Sequence, residues 1–149
     1  MDIFTRYKAI KQALVGVHPC FYFTGQYLSG KNNVGYAVPA IFIEMPKNLK
    51  IDYFPGKWQV AKNALIKIHL LTSAPYSSVD NAIQDSAVQS HQTKVNDLNN
   101  ILSGMEIRGT NNKLLISQFI LVNSNILNYT ESFAYSVLTY QCEFYHKEG

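Results

Sequence analysis

The side chains of this sequence that could do chemistry are few and scattered. Four histidines (His18, His69, His91 and His146) and two cysteines (Cys20 and Cys142) are its candidate metal ligands and nucleophiles. No two histidines share the short helical or loop spacing that would bring them onto one ion. Neither cysteine has a CxxC partner, and two thiols alone make no zinc site. A Cys–His nucleophile would have to be assembled by the fold, because neighbours across the proline of His18-Pro19-Cys20 point in different directions. The carboxylates Glu44, Asp52, Glu106, Glu131 and Glu143 are too dispersed to read as the pair that acid–base glycoside chemistry needs. Glycine-rich phosphate loops, HExxH and GxSxG are absent, and Gly25, Gly30 and Gly35 are spaced for turns. The expectation is a protein that is not an enzyme, with no catalytic, cofactor-binding or metal-ligating residues and no cofactor.

Composition limits the remaining classes. The 149 residues are 47% apolar and 15% charged, a charge share well under the usual quarter. That excludes disordered, coiled-coil and collagen-like chains. The net charge of +3 comes without a run of Lys and Arg, which disfavours nucleic-acid binding as the main role. Ten Tyr, eight Phe and one Trp are many for this length. Phe21-Tyr22-Phe23 has no cation before Lys31, and Tyr140, Phe144 and Tyr145 meet only His146 and Lys147. A surplus of tyrosine with little charge fits a surface covered by copies of the chain or by other subunits. No apolar run approaches the ~20 residues that cross a bilayer. Met1 to Arg6 lacks the order of a signal peptide, so a soluble protein made in a cytoplasm is expected. Cys20 and Cys142 lie in apolar, strand-like surroundings and read as buried free thiols rather than a disulfide.

The elements that position these residues follow from periodicity. Ile3, Tyr7, Ile10 and Leu14 recur at helical spacing, with Arg6, Lys8, Lys11 and Gln12 assigned to the opposite face and Gly16 as the stop. Phe21 to Tyr27 and Val38 to Met45 read as strands, the latter with Ile41, Ile43 and Met45 on one face and Ala40, Phe42 and Glu44 on the other. Ser29 to Asn33 is a loop, and Tyr53-Phe54-Pro55-Gly56 a turn. Trp58 to Leu71 is the longest strand and is placed centrally, because both its faces carry apolar residues near its end. Ser73 to Asp85 turns polar and reads as a loop. A second, longer helix follows over about 86–102, with Val88, His91, Val95, Leu98 and Leu102 as its stripe, capped by Asp85 or Ser86 and ended by Gly104. Met105 to Arg108 is a short strand, Gly109 to Asn112 a turn, and Leu114 to Leu127 irregular. Phe133 to Tyr145 alternates, with Leu138, Tyr140, Cys142 and Phe144 inward and Thr139, Gln141 and Glu143 outward. The fold expected is α+β: one domain over residues 1–149, with both helices packed on a mostly antiparallel sheet of about four to six strands.

This order of segments resembles the tail-terminator or tail-completion (head–tail joining) family of tailed bacteriophages. It is carried by the short N-terminal helix, the strand Val38-Pro39-Ala40-Ile41-Phe42-Ile43-Glu44 and the long strand Lys57 to Leu71. The helix ending Val95-Asn96-Asp97-Leu98-Asn99-Asn100-Ile101-Leu102 and the last strand, Val137 to Tyr145, complete it. The chain departs from the family over Leu114 to Tyr129, which is longer and richer in Asn. The resemblance implies a homo-oligomeric ring, often a hexamer, that caps the tail tube and joins it to neck or connector proteins. It implies DNA passing through the lumen without sequence-specific binding, no membrane, and a place in the virion after assembly in the host cytoplasm. The family has no catalytic residues to carry over. The loops 29–33 and 73–85 are candidates to order on tube or neck partners. Two other readings stay open, a small non-enzymatic module that recognises a peptide or ligand, and an enzyme with a Cys or His site assembled by the fold.

Overall fold

The computed structural model describes residues 1–25, 38–73, 76–77, 82–125, 128–129 and 133–147. In chain order the elements are α1 (Ile3–Ala13), β1 (Cys20–Tyr22), β2 (Ala40–Glu44), β3 (Ile51–Phe54), β4 (Trp58–Ser73), β5 (Tyr76–Ser77) and β6 (Ala82–Ile83). There follow α2 (Asp85–Leu102), β7 (Ile107–Arg108), β8 (Leu114–Ile116), β9 (Ile120–Ser124), β10 (Asn128–Tyr129) and β11 (Phe133–Lys147). Among the described residues nine strands form one sheet along the path β1-β2-β4-β11-β8-β7, with β3 beside β4 and with β9 and β10 beside β11. Every pair is antiparallel except β1 with β2. The class is therefore α+β with two helices on a mostly antiparallel sheet. The strands beyond the expected four to six have two to five residues, too few to show an alternation in sequence.

β4 and β11 are the centre of the sheet. Their ladder runs from Ser73 opposite Phe133 to Trp58 opposite Lys147. One irregularity interrupts it, where Lys62 and Asn63 of β4 stand against Glu143 alone. Asn63 takes φ +58°, the left-handed conformation of a bulge, and its Oδ1 accepts from Gln141 Nε2 at 2.6 Å. Ile66, Ile68 and Leu70 of β4 and Leu138, Tyr140, Cys142 and Phe144 of β11 point into the main core. There they meet Tyr7, Ile10 and Leu14 from the first helical segment and Val95, Leu98 and Leu102 from α2. β2 divides as its alternation predicts. Ile41, Ile43 and Met45 join that core, while Ala40 and Phe42 pack with Leu71 in a smaller cluster on the other face.

Four local expectations are corrected. Arg6 is buried at 1% exposure, not on the wet face of α1. Its guanidinium donates to the Tyr145 and Asp2 carbonyls and lies over the Phe144 ring. The N-cap of α2 is Gln84, with no side-chain cap bond, and Asp85 sits in the first turn where it complements the helix dipole. Val88 is exposed, because the stripe of α2 leaves the sheet at its first turn. Residues 51–54, assigned in part to a turn, form β3 against β4, and the turn moves to residues 55–57. Beyond these four, the described part of the irregular 114–127 segment, residues 114–125, holds β8 and β9 with Phe119 buried between them, and 126–127 lie outside the description.

Candidate interaction surface

His69, His91 and both cysteines are used in packing. His91 projects from α2 between two strands, with Nδ1 2.7 Å from Thr72 Oγ1 and Nε2 2.8 Å from Ser136 Oγ. Burial holds its pKa down at about 4, and Lys94 acts in the same direction. His69 stacks on Phe23 with centroids 4.0 Å apart, and its Nε2 lies 3.5 Å from Glu44. Burial outweighs the pull of that carboxylate and sets the His69 pKa at about 4. His18 lies beside Cys20 at the end of the first helical segment, its pKa lowered by burial and then by Lys94. His146 is on β11 opposite Gln59, remote from the others in the sheet. Cys20 and Cys142 are buried free thiols, with burial pushing them up to about 11 and about 12. Thiols held in that form are poor nucleophiles.

The carboxylates are equally dispersed. Glu44 pairs with Lys67 at 3.6 Å as well as with His69, Glu106 pairs with Arg108 at 3.2 Å, and Glu143 accepts from the Tyr145 hydroxyl. Asp52 stands on β3 opposite Val60. Glu131 and the 29–33 loop lie outside the described residues. Of the 73–85 segment, Tyr76 and Ser77 pair antiparallel with Ile83 and Ala82 in a separate two-stranded sheet, and 74–75 and 78–81 lie outside the description. Among the described residues no cluster of three or more His, Cys, Asp or Glu could hold a metal ion. No helix among them is long and apolar enough to cross a membrane.

A surface of different character lies on the sheet face away from the helices. Register places Leu65, Gln141 and Ile120 in one row across β4, β11 and β9. Their chain neighbours Ile66, Tyr140 and Leu121 face or abut the core, so alternation turns this row outward. Below the row come the bulge residues Lys62 and Asn63 with Glu143, then Val60 opposite Tyr145, then Trp58 opposite Lys147. Phe54 on β3 is paired with Trp58. Phe54, Trp58, Val60, Lys62, Leu114, Glu143 and Tyr145 together line an open groove of about 510 Å³. Lys62 Nζ stands 5.5 Å over the Phe54 ring, and Lys147 Nζ 5.5 Å over Trp58. At the opposite end the same face is closed by Phe42, Leu71 and Ala40, with Phe23, Val38, Phe133 and Tyr135 around them. Among the described residues, the half of the face toward the groove is therefore the bare one.

Sequence reasoning misses this groove because its walls come from four strands, and Phe54 of one of them falls in the turn expected over residues 53–56. The available signal was the outward set Trp58, Val60 and Lys62, two apolar residues where a wet face would carry polar ones. No family model matches the chain, and comparison with curated proteins finds no match.

Proposed function

We propose that this chain is a structural protein of a phage tail, assembling as a ring at the head-proximal end, capping the tube and joining it to the neck. The observation that carries the reading is the half-bare sheet face. Helices cover one side of the sheet, while the other presents apolar side chains and an aromatic groove to solvent. A chain with 15% charged residues and such a face is built to be covered by other subunits. The segment order that resembles tail terminators supplies the context, and DNA would pass through the lumen without being read.

Mass photometry and negative-stain imaging of the purified chain test this directly. The expected result is a ring of about six copies with a lumen wide enough for duplex DNA. A chain that stays monomeric and also fails to co-sediment with tail tube protein would overturn the reading. The second reading, a small binding module, is favoured by one observation only, the 510 Å³ groove. It predicts a monomer whose single tryptophan, Trp58, changes emission when a peptide with an apolar anchor is added.

A further inference from the structure

The ring reading leaves open which surface joins the copies. We infer that a second copy of this chain packs on the bare half of the outer sheet face, from the Phe54–Trp58–Tyr145 groove across Leu65 to Ile120 and the edge of β9. The inference deepens the ring reading and rests on it for the number of copies.

Three observations select a second copy as the occupant. The first is area. Phe54, Leu65 and Ile120 leave 44, 45 and 58% of their surfaces open, on the order of 300 Å² at roughly 200 Å² a residue. A standard interface takes about 800 Å² from each partner, a little over half of it apolar, so roughly 450 Å². The bare face therefore carries roughly two-thirds of the apolar share of one half-interface before the half-buried Trp58 and Tyr145 of the groove are added, beyond the scatter of single exposed residues.

The second observation is charge. Lys62, Lys67 and Lys147 and the carboxylates Glu44 and Glu143 are interspersed along the same face. Mixed signs suit a surface of the same composition, whereas a polyanion such as DNA would meet Glu143 inside the groove. The third is the edge. β9 (Ile-Leu-Val-Asn-Ser) pairs with β11 on one side, and no strand among the described residues pairs with its other side. Its register against β11 slips once, at Val122, but it carries none of the charges, prolines or inward lysines that protect exposed edges. An uncharged, largely apolar edge beside an apolar face is the arrangement found where another subunit covers both.

The test uses the full chain and the double substitution L65K/I120K, with V15S as a control at an exposed apolar site in the turn after α1. Both residues of the double variant are solvent-facing, so its cooperative melt should stay close to wild type while self-association weakens at least about tenfold. V15S should assemble as wild type does. In parallel, acrylamide quenching of Trp58 should fall as wild-type concentration rises, because the groove closes. This reading is independent of whether the double variant folds. If folded L65K/I120K assembles like wild type, or Trp58 quenching does not change as copies associate, this surface is wrong and the ring reading stands. A wild-type chain that remains monomeric at hundreds of micromolar also overturns the inference. A dimer without a lumen that L65K/I120K breaks would uphold the surface and count against the ring.

Discussion

A guanidinium inside a protein keeps its charge, so it must be given acceptors where water cannot reach. Arg6 has the carbonyls of Asp2 and Tyr145 and the face of Phe144, and through them it ties the start of α1 to the end of β11. Arg6→Met should therefore cost about 1–3 kcal/mol in urea denaturation, leaving the Tyr145 carbonyl without its charged donor. Arg6→Lys should recover little of that, because one ammonium cannot span both carbonyls as the planar fork does. Recovery of full stability by Lys would show that charge alone matters there. The two buried histidines make a second prediction at this scale. His69 and His91 have folded pKa values of about 4 against an ordinary 6.5, so the unfolded chain binds protons the folded chain refuses. Stability is complete above about pH 6.5 and drains as pH falls toward 4, by on the order of 1–3 kcal/mol for His91. In a series of thermal melts from pH 7 to 4.5, His91→Gln should show a shallower decline of Tm than wild type. An equal decline would remove His91 as its source.

Single elements carry their own weaknesses, and two are open to substitution. The N-cap of α2 is Gln84, extended at φ −67° and ψ 143° but with no side-chain bond to the first turn. Gln84→Asp supplies that bond and should stabilise by about 1 kcal/mol, raising Tm by roughly 2–4 °C. An unchanged Tm would mean that the first turn is already satisfied by other means. At the β4 bulge, Asn63 is left-handed, so Asn63→Gly should be close to neutral while Asn63→Val should cost about 1–2 kcal/mol. Guanidinium melts of the two variants separate backbone strain from the lost Gln141 bond, which both remove. Long elements were legible in the sequence because their periods repeat. The faces of β2, the inward set of β11 and the buried stripe of α2 from His91 onward all follow from spacing alone. β7 falls within the short strand expected over Met105 to Arg108, but β3, β8, β9 and β10 were not legible, since two to five residues hold no period and their pairing is set by partners distant in the chain. Arg6 was read as exposed because its type, and not its place over the end of β11, was all the sequence offered. The candidate surface was legible only as a surplus of aromatics with too little charge. Which rings stay outside depends on where the helices stop covering the sheet.

At the scale of the whole molecule the sheet is clad by helices on one face and closed at only one end of the other. Its exposed half combines the groove, the Leu65–Ile120 row and the β9 edge, so solubility and assembly should respond together to changes there and little to changes elsewhere. The charged L65K/I120K variant should stay soluble at concentrations where the wild-type chain associates, as sedimentation would show. The β4–β11 ladder has a further consequence, in time rather than in space. Every rung joins residues with the whole of α2 and six short strands between them in the chain. Such contacts close large loops before any of their stabilisation is gained, so refolding should fall in the slow, milliseconds-to-seconds range, as stopped-flow Trp58 emission can measure. During synthesis Ile66, Ile68 and Leu70 must wait for residues 133–147 to be made, and until then the longest strand of the protein is available to any neighbouring nascent chain.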